Sequence, residues 1–292
     1  MVNYHMKKLR AWLAYSLYIL VVGALFVYFL FPAEAVSRYI VARVAAVYPD
    51  VRISIGDVSP ILPPGLKLHR VTIGQTDGDA LKAPEVRLYP RWLSLLGKQP
   101  AVAYTAVAGQ GKIRGTASVA EAASGRQIRL GADLQDVRLE QLEVAQAFAD
   151  YRLEGSVSGA IACTLGTNRT ADAQMNVTDM TVAPPRPVMG IRELHFENVR
   201  ADATLVNRNV KIIRVALSGE QVSGELTGEV ALGRRLKDST VLLGGTLRLN
   251  LRAEGPDATS LPGNPGGGGI SLAGRVPVRI EGTVGNPKVS LR

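Results

Sequence analysis

The chain has 292 residues, 47% of them hydrophobic and 20% charged, which is enough to bury a real core, and an all-β unit of nearly this length can still be one domain. Only 5% are aromatic, and the formal charge of +9 is spread along the chain with no run of five or six like charges. That distribution argues against nucleic-acid binding and for a solvated surface with some attraction to anionic lipid or an acidic partner. The single cysteine, Cys163, has no intramolecular partner and lies in the apolar stretch 160–165, so it reads as a buried, inert core thiol.

Residues 11–31 carry no charged side chain. As a helix rising about 1.5 Å per residue, these 21 residues reach across a hydrocarbon layer of roughly 30 Å. Trp12, Tyr15 and Tyr18 fall near one end and Tyr28 and Phe31 near the other, where interfacial aromatics belong. Lys7, Lys8 and Arg10 precede the span, so residues 1–10 are expected to form a cytoplasmic tail and residues 32–292 an exported domain. Ala33-Glu34-Ala35 offers the small-residue spacing of a signal-peptidase site. The span is longer than a usual signal-peptide core of about 7–15 residues, which favours an uncleaved anchor.

Residues 34–48 read as a short amphipathic helix, with Val36, Tyr39, Ile40, Val44 and Val47 at three- and four-residue spacing and Pro49 as its stop. Further short helices are expected around 91–96 and 139–149. Most of the remainder alternates with period two, as in 51–55, 66–73, 86–88, 152–154, 210–217, 225–227, 247–251 and 276–280. Such alternation puts Leu, Ile and Val on one face and Arg, Lys, Glu and Thr on the other. Gly155, Gly159, Gly219, Gly224 and Gly228 are expected at turns between these strands. The segment 255–269, with Pro256, Pro262, Pro265 and four consecutive glycines, is expected to be a flexible loop before a closing hairpin at 270–291.

No residue pattern points to chemistry, so no catalytic, metal or cofactor-binding residue is expected, nor any cofactor. His5 precedes the span, while His69 and His195 stand alone in strand-like stretches without ligand-spaced partners. Gly155-Ser156-Val157-Ser158-Gly159 places its hydroxyls beside the position a nucleophile elbow requires. Asp57, Asp77, Asp79, Asp133 and Asp136 are expected in turns or loops, bonding local backbone.

The linear order carries a resemblance. The span and short helix are followed by Pro49-Asp50-Val51-Arg52-Ile53-Ser54-Ile55, then by Leu62-Pro63-Pro64-Gly65-Leu66-Lys67-Leu68 and a strand from Ala83-Pro84-Glu85 into Trp92-Leu93-Ser94-Leu95-Leu96-Gly97-Lys98. The chain ends on Gly282-Thr283-Val284-Gly285-Asn286-Pro287-Lys288-Val289. This order resembles the type II secretion system protein N family and is similar to the N-terminal portion of AsmA-like proteins. The resemblance implies a mainly β fold: one transmembrane helix followed by a large, curved antiparallel sheet with a few short helices. It also implies a non-enzymatic, single-pass protein of the inner membrane with a periplasmic domain, serving as an accessory scaffold of the secretion apparatus and pairing with its other periplasmic or inner-membrane components. The AsmA-like side implies instead a lipid-binding or lipid-transfer protein for outer-membrane assembly, with acyl chains as partners.

Overall fold

The computed structural model describes residues 2–47, 51–61, 65–75, 80–95, 97, 99–122, 125–141, 152–166, 169–183, 193–233, 235–252 and 271–291. The glycine- and proline-rich segment 255–269, Asp77, Asp79 and most of the helix expected at 139–149 lie outside these residues; of that helix, a single 3-10 turn at Leu139–Gln141 is described.

Helix α1 spans Val2–Phe29 and so runs on through the expected tail. It gives way at Pro32, because the residue before a proline is pushed out of helical geometry. Helix α2 follows at Ala33–Val47, and the four-residue α3 at Trp92–Leu95. Taken over the described residues, no helix is long and apolar enough to cross a membrane.

Apart from a second 3-10 turn at Leu236–Asp238, the rest of the described regular structure is strand: β1 (Val51–Ser54), β2 (Asp57–Ile61), β3 (Gly65–Gln75), β4 (Ala80–Pro90), β5 (Ala101–Ala108), β6 (Gly111–Ala122), β7 (Gly125–Arg138), β8 (Arg152–Leu165), β9 (Thr170–Ala183), β10 (Leu194–Val206), β11 (Asn209–Ser218), β12 (Val222–Ala231), β13 (Thr240–Arg252), β14 (Ser271–Thr283) and β15 (Asn286–Leu291). They form one antiparallel open sheet in which every strand from β3 onward pairs with the next in sequence. At the first edge, β1 and β2 share β3: β1 pairs with Thr72–Gln75, and β2 with Gly65–His69. Between them the Gly56 N–H donates to the His69 carbonyl at 3.0 Å, opposite Arg70 in the left-handed region at φ 51°. The first edge is thus a single strand broken by a bulge.

Further bulges fall at Asp136 in β7, at Asp179 in β9, both at positive φ, and at Ile213–Arg214 in β11. A bulge sharpens the local twist and bends the strand. The β11 bulge breaks register with both neighbours, and β10 and β12 approach within 8 Å, although strands two apart in a flat sheet stand about 9.6 Å from each other. The turn after β11 tucks against β10, where the His195 N–H donates to Gln221 Oε1 at 3.4 Å.

Four of the five expected turn glycines are corrected. Gly155 and Gly159 lie inside β8, and Gly224 and Gly228 inside β12; only Gly219 sits in a turn. A Cβ at Gly159, Gly224 or Gly228 would overlap a carbonyl oxygen of the adjacent strand. These glycines permit close strand approach rather than chain reversal.

Candidate functional site: the apolar face of the sheet

Antiparallel register turns period-two alternation into rows that run across the sheet. One row passes from Val58 through Leu68, Val86, Ala106, Ile113, Leu134, Gly159, Met175, Ala201, Val215, Leu226 and Gly245 to Val278 and Leu291, one residue from each strand β2 to β15. A second runs Leu66, Leu88, Tyr104, Gly115, Ala132, Ile161, Ala173, Ala203, Ile212, Gly228, Leu243, Ile280, Val289. A third, from Pro90 and Val102 through Ala117, Leu130, Cys163, Ala171, Leu205, Val210 and Val230 to Val241, is equally apolar. No charged side chain interrupts any of the three.

The reverse face is mainly polar, with Val107 and Leu242 exposed among its charges. Its central row reads Lys67, Arg87, Thr105, Arg114, Asp133, Ala160, Gln174, Asp202, Arg214. Cross-strand ion pairs stitch it, as between Lys67 Nζ and Glu85 Oε2 at 2.8 Å and between Arg214 and Glu225. Hydrogen bonds from Lys67 and then Arg87 hold the Glu85 carboxyl below its ordinary range.

The apolar face differs along its length. At the first end, α2 lies on it: Phe31, Ala33, Val36 and Ile40 pack against Val58, Leu68 and Val71, all 5% exposed or less. At the far end, Phe196, Val199, Val222, Leu226, Leu247, Leu249 and Val278 bury one another in a continuous cluster. Between them, β5 to β9 present small groups. Ala106, Ala117, Ala132, Ala171 and Ala173 are half-buried, as are Ile113, Leu130 and Ile161.

In this middle region the Tyr104 ring lies over Gly115, and its hydroxyl donates to the Gly131 carbonyl at 3.0 Å. A Cβ at Gly115 would strike that ring, so the pair is an aromatic covering a bare stretch of backbone. Burial, with Cys163 and Asp133 nearby, raises the phenol pKa. Cys163 is on the same face, half-buried rather than the fully enclosed thiol expected, and burial raises its pKa too. Packing in the third row among Leu130 and Ala171 accounts for both.

Of the described polar residues singled out in the sequence, the structure brings Asp136 and Ser158 together and leaves the histidines apart. His69 is in β3 and His195 in β10, where Nδ1 lies 3.3 Å from Thr181 Oγ1. Asp57, Asp133 and Asp136 are corrected: each lies in a strand rather than a turn. Asp133 points to the polar face because period-two geometry puts it there, and Asp136 occupies the β7 bulge, its N–H donating to Ser158 Oγ at 3.0 Å. Ser156 and Ser158 are strand residues. Among the described residues no group of three or more His, Cys, Asp or Glu could hold a metal ion. The rows themselves escaped sequence reading, because alternation gives each strand a face but not its register with the next.

No protein-family model, no curated protein and no solved structure matches this chain.

Proposed function

We propose that this is a membrane-anchored protein of the cell envelope, not an enzyme, whose sheet holds lipid acyl chains along its apolar face. The observation that carries this reading is the set of apolar rows crossing the whole sheet, half-exposed and built of small side chains through β5–β9. An acyl chain needs a long, uncharged, unobstructed surface, and a contiguous apolar strip of this kind marks an interaction surface in a protein that is otherwise polar outside. The anchor reading rests on the sequence: residues 11–31 are an unbroken uncharged run. Along α1 the large groups Trp12, Tyr15, Tyr18, Phe26 and Phe29 are all more than 60% exposed, as lipid-facing groups would be. With Lys7, Lys8 and Arg10 before the span, the N-terminus is cytoplasmic and the sheet periplasmic, at an inner membrane.

The test is native mass spectrometry of the full chain in detergent after incubation with phospholipid, with Ala132→Asp as control. Wild type should retain phospholipid, and the variant, with a carboxylate in the middle of the strip, should lose it while staying folded. Equal retention by both, or none by wild type, overturns the reading.

A second reading, an accessory scaffold of a type II secretion apparatus, is favoured by the open edge at β14–β15. β14 has thirteen residues, but β15 pairs only with Val278–Thr283, so among the described residues Ser271–Pro277 offer an unpaired edge for strand addition by another component. Normal release of secreted enzymes by a deletion strain would count against it.

A further inference from the structure

The polar face carries a feature that the acyl-chain reading leaves unused. Arg248 of β13 and Arg275 of β14 are directly opposite each other, and Ser223 of β12 is opposite Arg248, so the three form one row on that face. Directly opposed residues of an antiparallel pair have Cβ atoms about 4.5–5.5 Å apart, and like charges at that spacing destabilise the pair. The other directly opposed cations on this face, Lys67 and Arg87, are bridged by Glu85, and Arg214 and Arg279 are matched by Glu225 and Glu281. Arg248 and Arg275 are both exposed, and among the described residues neither guanidinium makes a hydrogen bond or ion pair. The nearby acids, Glu225 and Glu281, are engaged by other arginines.

Beside this pair the face is hollow. Ser223, Thr227, Thr246, the two arginines and the Glu225 carboxylate, which Arg214 neutralises, line a depression of about 530 Å3. Its floor includes Gly244, where a Cβ would meet no atom within 4 Å. Two guanidinium forks and three hydroxyls thus surround an open hollow. Guanidinium is planar and weakly hydrated, and its paired N–H groups match two oxygens of a phosphate at once.

We infer that Arg248, Arg275 and Ser223 form an oxyanion site for a phosphate group, either a free phosphate or the phosphomonoester headgroup of a lipid. A bound dianion between the guanidinium groups would turn an opposed like-charge pair into a bridge. Because the site is on the reverse of the sheet from the apolar rows, the same lipid cannot fill both. The inference therefore stands or falls separately from the acyl-chain reading.

The experiment is thermal unfolding of the full chain in detergent at constant ionic strength, with sodium chloride exchanged stepwise for sodium phosphate. Phosphate should raise Tm in the wild type. Arg248→Gln and Arg275→Gln should each melt higher than wild type without phosphate, since the repulsion is gone, and should weaken phosphate binding by about tenfold. Arg248→Lys should recover part of the binding, because it restores the charge without the fork. A second titration uses water-soluble dihexanoyl phosphatidic acid. Binding at least about tenfold tighter than inorganic phosphate, and dependent on both arginines, assigns the site to a lipid headgroup; equal affinity assigns it to free phosphate. A phosphate response identical in wild type and both glutamine variants, or absent from wild type, overturns the inference.

Discussion

The middle and the far end of the sheet share one alternation but spend it differently. From β10 to β14 the rows also include Ala201, Ala203, Gly228 and Gly245, but around them Leu226, Leu247, Leu249, Val222 and Val278 bury each other below 10% exposure. From β5 to β9 the rows carry alanine and glycine among Val102, Tyr104, Cys163, Met175 and scattered Ile and Leu, all of them half-buried. The buried residues there, Ala101, Ala108, Ala120, Val137 and Val157, lie toward strand ends rather than along the central rows. One region uses its apolar surface for stability, and the other leaves it half-open. The first is a fold-determining core, and the second is the place where a ligand can add contacts without displacing any.

The largest expected contrast follows from that difference. Leu226→Ala removes a side chain from inside the cluster and should cost about 2–5 kcal/mol, as truncations of buried leucine do. Ile161→Ala, in the half-exposed middle, should cost less than about 2 kcal/mol, because part of the side chain is already in water. Denaturant midpoints of the two variants measure both. Equal losses would mean that the middle is as fully packed as the far end, and the acyl-chain reading would lose its basis.

How much of this was legible in the sequence depends on the interaction concerned. The alternation of Leu66 and Leu68, or Leu247 and Leu249, is local, and it gave the strands, the apolar face and the sheet class directly. Helix α2 and the short α3 were legible for the same reason, as was the closing hairpin of β14 and β15. What was not legible depends on a neighbouring strand. Gly228 read as a turn because glycine usually marks one, and nothing nearby in sequence reveals that the Leu242 carbonyl occupies the place of its Cβ. Asp136 read as a loop residue for the same reason, when it occupies a bulge set by pairing with β8. The opposed arginines Arg248 and Arg275 are more than twenty positions apart and meet only through register.

Those glycines sharpen the comparison at a smaller scale. Gly228 in β12 has φ +155° and no room for a side chain, so Gly228→Ala should destabilise by about 1–3 kcal/mol through strain and displaced backbone. Gly131 in β7 is different: the nearest atom to an added Cβ is Thr116 Oγ1 at 3.9 Å, an ordinary contact. Gly131→Ala should therefore be neutral or stabilising by up to about 1 kcal/mol, since alanine restricts the unfolded chain more. Thermal unfolding of the pair distinguishes them. A destabilising Gly131→Ala would show that the polar face of β7 is packed more closely than its single 3.9 Å contact indicates.

The smallest effect concerns Cys163, which reports on the middle region without altering it. Burial disfavours the thiolate, so the folded-state pKa lies above the ordinary 9.0. Because the thiolate is the reactive form, alkylation of the native protein should be slower at pH 8 than that of the unfolded chain, and should accelerate as pH rises past 9. The sign for stability is the same: the neutral thiol is favoured on folding, so its contribution is complete below the unfolded pKa and is lost as pH rises through the folded one. Half-exposure on the apolar face still leaves the sulfur reachable, whereas an enclosed core thiol would react only through unfolding. Alkylation in the native state, well below Tm, that phospholipid slows would place the acyl chain over the third row. Alkylation that tracks global unfolding alone would close the middle of the face and make it a core like the far end.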